Sequence, residues 1–326
     1  CHDITQIIRG EVKDARFRKG HIVTPEDIPV LLSLGKEHLY VWEKQEGMLH
    51  ENEGAQILYD LCKNEFMRPS EIKEGKIDIF AERDGLFKVD VERLNRINSL
   101  GEMMIATRRQ NFPVQKGDKL AGTRIIPLVI EQEKMDRARE VVGEKPLLAI
   151  LPFQKKKVGV VTTGSEVFRG RIIDTFGPVV MEKFREYGAE IVGQEIVDDK
   201  PDGICQAILR FVQAGADIVA CTGGMSVDPD DATPGGIRAT GAQVVSYGAP
   251  VLPGAMFLLA YYGEKRLPII GLPGCVMYAK RTVFDLVLPR LMADDPVTAQ
   301  DIAQLGHGGL CLSCDECVFP NCGFGK

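Results

Sequence analysis

Apolar runs and amphipathic stretches alternate most regularly between residues 155 and 293. "KVGVVTTGSE" predicts a β-branched strand closing on Thr-Gly, and "PVVMEKFREYG" an amphipathic helix with a glycine stop. "AEIVGQEIV", "PDGICQAILRFVQAG" and "ADIVACTGG" continue as strand, helix and strand. "GIRATGAQVVSYG", "LPIIGLPG" and the helix "CVMYAKRTVFDLVLPRLM" follow. This β-α-β-α-β order predicts a three-layer α/β/α domain over residues 155–295 with a mainly parallel sheet covered on both faces. Ligands of such folds bind beyond the carboxyl ends of the strands.

Residues 1–154 alternate less regularly and read as a smaller α+β region. "TPEDIPVLLSLG" predicts a capped short helix, "HLYVW" a strand, and "HENEGAQILYDLCKNE" an amphipathic helix whose His50 and Glu51 read as a capping, solvated start in preference to a ligand pair. "KIDIFAERDGLFKVDV" places Asp-Gly between two alternating segments, which predicts a hairpin. "EMMIATRR" and "GTRIIPLVI" add strands before a charged helix to about residue 142, and "EKPLLAILPFQKKK" is the expected junction. Residues 296–326 form a cysteine-rich tail.

Composition narrows the function classes. The 326 residues are 44% hydrophobic and 26% charged, as in a globular protein with room for two domains. A net charge of −6 argues against nucleic acid or an anionic membrane as the main partner and favours a small molecule. The apolar stretch "APVLPGAMFLLAYYG" is short and broken by proline and glycine, so no membrane span is expected. Nine cysteines, an odd number, in a long chain fit free thiols in a reducing cytoplasm better than a disulfide framework. The chain opens on Cys1 rather than methionine, which leaves room for a preceding targeting segment.

Three predicted strands empty into glycine-bearing loops: "TTGSE" (162–166), "CTGGMSVDPDDATP" (221–234) and "GLPGC" (271–275). Parallel strands would bring these loops to one edge of the sheet. Helix-start N–H groups there suit an anion, and Thr163, Ser165 and Ser226 add hydroxyls. Adjacent glycines let backbone approach a ligand closely. Asp228, Asp230 and Asp231 repel one another unless Mg²⁺ or a donor-rich heterocycle meets them. Asp174 is either a further ligand group or a helix N-cap.

"TTGSEV…GRIIDT", "CTGGMSVDPDDATP", "VLPGA" and "GLPGC" together resemble the molybdopterin-binding domain of molybdopterin molybdotransferases, gephyrin-like proteins and molybdopterin adenylyltransferases. The resemblance covers residues 155–293, and "RKGHIVTPEDIPVLLSLGKEHLYVW" is similar to the molybdotransferase segment that precedes that domain. It implies a pterin-phosphate site at Gly164, Glu166, Gly223, Gly224, Ser226, Asp228, Asp231, Pro253, Gly254, Pro273 and Gly274, with Glu166, Asp228 and Asp231 as the catalytic candidates and Thr163, Ser165 and Asp174 added to the binding set from the loop reading above. It also implies molybdenum cofactor biosynthesis, Mg²⁺-dependent nucleotide or molybdate transfer onto the pterin, a cytoplasmic location and a homo-oligomer. The chain departs from the family pattern at Ser165, Ala255 and Cys275-Val276, where molybdotransferases carry Asp, Lys and Asn-Pro. Loss of a cation and an amide motivates an alternative, a non-catalytic molybdopterin carrier or sensor. A nucleotide-pyrophosphate hydrolase built on the related domain is a third reading.

The tail "CLSCDECVFPNCGFGK" spaces Cys311, Cys314, Cys317 and Cys322 as C-x2-C-x2-C-x4-C, a set able to hold zinc or an iron–sulfur cluster. Leu310, Val318, Phe319 and Phe324 are few apolar anchors for a glycine-rich segment, so the tail is expected to fold around a metal centre.

Overall fold

The computed structural model describes residues 4–8, 12–18, 20–39, 45–226 and 231–326. They divide into two compact units, one of residues 1–82, 89–108 and 117–149 and the other of residues 83–88, 109–116 and 150–326.

In the first unit an antiparallel sheet orders the strands Met67–Pro69, Lys76–Ala81, Lys119–Ile125 and Met103–Thr107. Strict alternation in "KIDIFA" sends Ile77, Ile79 and Ala81 to a buried face, on which helix Glu51–Cys62 packs through Ala55, Leu58 and Cys62. His50 caps that helix by accepting the Asn52 N–H. Thr24 caps a one-turn 3-10 helix, Pro25–Asp27, that runs into helix Ile28–Ser33, as its sequence predicts. Most of the "HLYVW" strand lies outside the described residues.

The hairpin expected at Asp84-Gly85 is not formed. Strand Lys76–Ala81 stays in the sheet above, whereas Gly85–Val89 pairs with Phe112–Val114 in a separate three-stranded sheet that also contains Leu148–Pro152. Gly85 marks a close approach instead of a turn, since an added Cβ would stand 2.5 Å from the Leu151 carbonyl oxygen.

The second unit is built on six strands in the order Glu190–Val197, Lys157–Thr163, Ile218–Thr222, Leu267–Leu272, Leu258–Tyr262, Gln243–Tyr247. The first three pairings are parallel and the last two antiparallel, so the sheet is mixed rather than mainly parallel. The antiparallel arm arises because "FLLAYY" forms a strand of its own, turned back by Gly263–Arg266 onto Leu267–Leu272. Every residue of Ile218–Thr222 is buried, as a central strand with both faces covered requires. Gly159 lets the Phe211 ring of helix Pro201–Gln213 lie on the sheet, where any Cβ would overlap it. The single helix expected over 275–292 is two elements, a 3-10 turn at Gly274–Met277 and helix Val283–Met292. A Thr282–Asp285 capping box starts the second.

Candidate functional site at the carboxyl edge of the sheet

Parallel register aligns the strand ends: Val197 pairs with Thr163, Thr162 with Thr222, and Thr222 with Leu272. Gly164, Gly223 and Pro273 therefore leave the sheet side by side. The first two loops are in direct contact. Gly223 (φ +85°) and Gly224 (φ +51°) carry the chain past the end of the neighbouring strand, and a Cβ on Gly223 would overlap the Thr163 carbonyl oxygen. Thr163 Oγ1 donates to the Thr222 carbonyl at 3.2 Å and lies 3.0 Å from Thr233 Oγ1, whose hydroxyl reaches the Gly223 carbonyl at 2.9 Å. These buried threonines lock the two turns together.

The loop after Thr163 is closed by the protein's own carboxylates. Asp199 accepts the Ser165 N–H at 2.7 Å and the Ser165 hydroxyl at 2.8 Å, and Asp198 stands 2.9 Å from the same hydroxyl. The Ser165 hydroxyl, followed by the Asp199 N–H, holds the Asp198 carboxyl below its ordinary value. At the start of helix Phe176–Arg185, Asp174 accepts the Phe176 and Gly177 N–H groups at 2.9 and 3.0 Å. Gln194 reaches both Asp174 and Thr162, the latter at 2.8 Å. The structure thus uses Asp174 as a cap. Donors that the sequence offers to an external anion at both positions are already satisfied. Glu166 is exposed on the short helix Ser165–Phe168. A cleft of about 560 Å³ opens beside this edge between Phe168, Asp198, Lys200 and Pro201.

The second loop is different. Asp231, half-buried, has one side-chain oxygen shielded from solvent with no hydrogen-bond partner among the described residues. Asp228 and Asp230 lie outside the described residues. Ser226 is exposed, and its carbonyl and that of Met225 face the Tyr247 hydroxyl at 3.4 and 3.1 Å.

Pro253 and Gly254 meet the helix that follows the third loop. The Val283 N–H donates to the Pro253 carbonyl at 3.1 Å, and Gly254 (φ +131°) sits directly against Val283. Beneath that helix start, Lys183 and Asp285 form a buried ion pair at 2.6 Å, joined by Arg281 at 2.8 Å and the Thr282 N–H at 2.7 Å. Burial pushes the Cys221 and Cys275 thiols up, which keeps them protonated and unsuited to nucleophilic attack.

The tail packs on two of these segments. Leu252 bridges to Leu310, its N–H donating to the Gly309 carbonyl and its carbonyl accepting the Cys311 N–H, both at 2.8 Å; Lys280 Nζ donates to the Asp315 carbonyl at 3.0 Å, and Arg281 stacks on Phe319. Phe319 contacts Phe112 and Phe324, and Phe324 is 3% exposed. Aromatic contacts thus anchor the tail on this unit. Cys311 and Cys322 are half-buried and free, Cys314 and Cys317 exposed and free. Among the described residues, no three His, Cys, Asp or Glu side chains are grouped so as to hold a metal ion.

Residues 159–293 match the family model of the probable molybdopterin binding domain. This segment belongs to the molybdopterin-binding domain family. The molybdopterin-binding domain thus contains all three loops and stops short of the tail. Residues 1–43 match a domain of unknown function. A CinA-like protein of Mycobacterium sp. (strain MCS) is 38% identical over 78 residues, which is 24% of this chain and 18% of that relative. The CinA-like protein of Mycobacterium avium (strain 104) is 37% identical over 78 residues, again 18% of its length. The chain thus spans under a fifth of these relatives. Similar solved structures include the molybdopterin biosynthesis enzyme MoaB of Thermus thermophilus, at 26% identity over 42% of this chain and 91% of that one, with a TM-score of 0.35. Another is the molybdopterin biosynthesis MoeA protein of Pyrococcus horikoshii, at 17% identity over 79% of this chain and 82% of that one, with a TM-score of 0.35.

Asp198, Asp199, Thr233 and Gln194 were not singled out by the sequence reading. The signal for Asp198 and Asp199 was present: an Asp-Asp pair directly after the strand Glu190–Val197, at the same edge as the glycine loops.

Proposed function

We propose that the chain binds molybdopterin at the loops around Thr163, Gly223 and Pro273 and acts in molybdenum cofactor biosynthesis. The observation that carries this reading is the shielded, unpartnered Asp231 oxygen beside two positive-φ glycines at the strand ends of a molybdopterin-binding-family domain. An orphaned carboxylate oxygen fits a cation, and Mg²⁺ characteristically takes one or two carboxylates together with phosphate oxygens and water. Bound there, Mg²⁺ would offset phosphate charge during nucleotide or molybdate transfer. The chain's own residues orient the ligand: the glycine turns admit it to the backbone, and the Thr163–Thr233 lock fixes the turn geometry. If the chain is catalytic, the reaction would be in-line transfer between bound groups, which requires no enzyme nucleophile.

Purified protein titrated with molybdopterin, with and without Mg²⁺, tests the reading. Tight binding that weakens at least about tenfold in Asp231→Ala supports it. Unchanged affinity removes the aspartate loop from the site. Incubation with adenylylated molybdopterin, Mg²⁺ and molybdate separates the enzyme, which releases AMP, from a carrier that binds without turnover. Ala255 and Cys275, in place of a cation and an amide, favour the carrier. Light scattering across concentrations tests the expected homo-oligomer. No helix among the described residues is long and apolar enough to cross a membrane.

A further inference from the structure

The antiparallel arm of the second unit brings a tyrosine to the candidate site. Two successive antiparallel pairings restore the direction of the chain, so strand Gln243–Tyr247 runs the same way as Ile218–Thr222 and ends at the same edge of the sheet. Two strands separate them, a gap of roughly 14 Å at ordinary strand spacing. The loop after Thr222 bridges that gap. Met225 is 4% exposed and lies over Gly271 of the adjacent strand Leu267–Leu272, where an added Cβ would stand 2.6 Å from its sulfur. Beyond it the Tyr247 hydroxyl donates to the Met225 carbonyl at 3.1 Å, with the Ser226 carbonyl at 3.4 Å sharing the same proton. Arg238 stacks on the Tyr247 ring, 5.5 Å from its centre, and fixes its orientation.

These bonds complete a pattern in the loop backbone. The Gly223 carbonyl accepts the Thr233 hydroxyl at 2.9 Å and the Gly224 carbonyl accepts the Thr233 N–H at 3.2 Å. Thr233 and Tyr247 thus meet the four successive carbonyls from Gly223 to Ser226. No acceptor among the described residues meets the N–H groups of Gly224, Met225 or Ser226. Carbonyls tied to the protein leave the donor edge of a turn for an anion, and successive backbone N–H groups suit phosphate oxygens. We propose that Tyr247 is a positioning residue: by holding the Met225 and Ser226 carbonyls it turns the N–H edge of Gly224–Ser226 toward the phosphate of the bound pterin. The inference rests on the reading that molybdopterin binds at these loops, and it adds which group of the ligand this edge receives and what aims it.

Titration of the full chain with molybdopterin and with its dephosphorylated form tests the role. Tyr247→Phe keeps the ring and removes only the donor. It should weaken molybdopterin binding about fivefold, the equivalent of one hydrogen bond, and leave affinity for the dephosphorylated form unchanged. Hydrogen exchange at the Gly224, Met225 and Ser226 amides should accelerate in the unliganded variant while strand Ile218–Thr222 keeps its protection; thermal melting verifies the fold. A native chain that binds neither form would refute the site reading and the positioning role with it. A native chain that binds molybdopterin while Tyr247→Phe binds it equally well, loses both forms alike, or shows unchanged exchange would overturn the role of Tyr247 alone.

Discussion

The loops after Thr163 and Thr222 leave neighbouring parallel strands one position apart, and both open on glycine, but the protein treats them in opposite ways. After Thr163, Asp199 takes the Ser165 N–H and Asp174 takes those of Phe176 and Gly177. Those three donors are satisfied without a ligand. After Thr222, two positive-φ glycines thread past the Thr163 carbonyl and Asp231 keeps an oxygen that nothing described meets. A folded protein tolerates few such groups, and the function proposed above accounts for this one by a ligand. Similar loop sequences can thus build a wall and a receptor side by side.

The contrast predicts a graded series. Gly223→Val should have the largest effect, because the new Cβ overlaps backbone oxygen of the adjacent strand and the φ of +85° disfavours a branched residue. A loss of about 3 kcal/mol or more in denaturant unfolding is expected; a small change would mean the turns are not locked together. Asp199→Ala removes a structural cap and should cost roughly 1–2 kcal/mol. Its effect on molybdopterin affinity should be smaller than that of Asp231→Ala, and the reverse ranking would break the comparison. Asp231→Ala should leave the unliganded protein as stable as before or raise it by about 1 kcal/mol, since it deletes an unsatisfied group. Paired with the loss of binding described above, this is the signature of a residue kept for its ligand.

The smallest effect concerns acid. Asp198 is held below its ordinary value of 3.8 by the Ser165 hydroxyl, so its contribution is complete above that value and disappears as pH falls through the lower folded value. Melting temperatures followed from about pH 5 downward should therefore drop more steeply, by a small margin, in the native protein than in Asp198→Asn, within the carboxylate range. Coincident curves would mean that the cap at Ser165 contributes nothing.

Local pattern sufficed wherever an element's own residues decide its shape. The alternation in "KIDIFA", the buried run "IVACT" and the glycine-stopped helices of residues 155–293 are written in side-chain periodicity, and the glycine loops follow from where those strands must end. Periodicity does not encode partners. Asp84-Gly85 has the composition of a hairpin turn, yet Gly85 is glycine because the Leu151 backbone passes close by. "FLLAYY" is apolar in either direction, and only its turn onto Leu267–Leu272 makes the sheet mixed. Phe319 and Phe324 looked too sparse to hold the tail because Phe112 and Arg281, which receive them, are distant in sequence. The sequence alone determined most elements of residues 155–293, the candidate site's edge of the sheet and its residue types. Tertiary structure decided which polar groups are spent within the fold and which are left unpaired, because hydrogen-bond satisfaction depends on neighbours that only packing brings together.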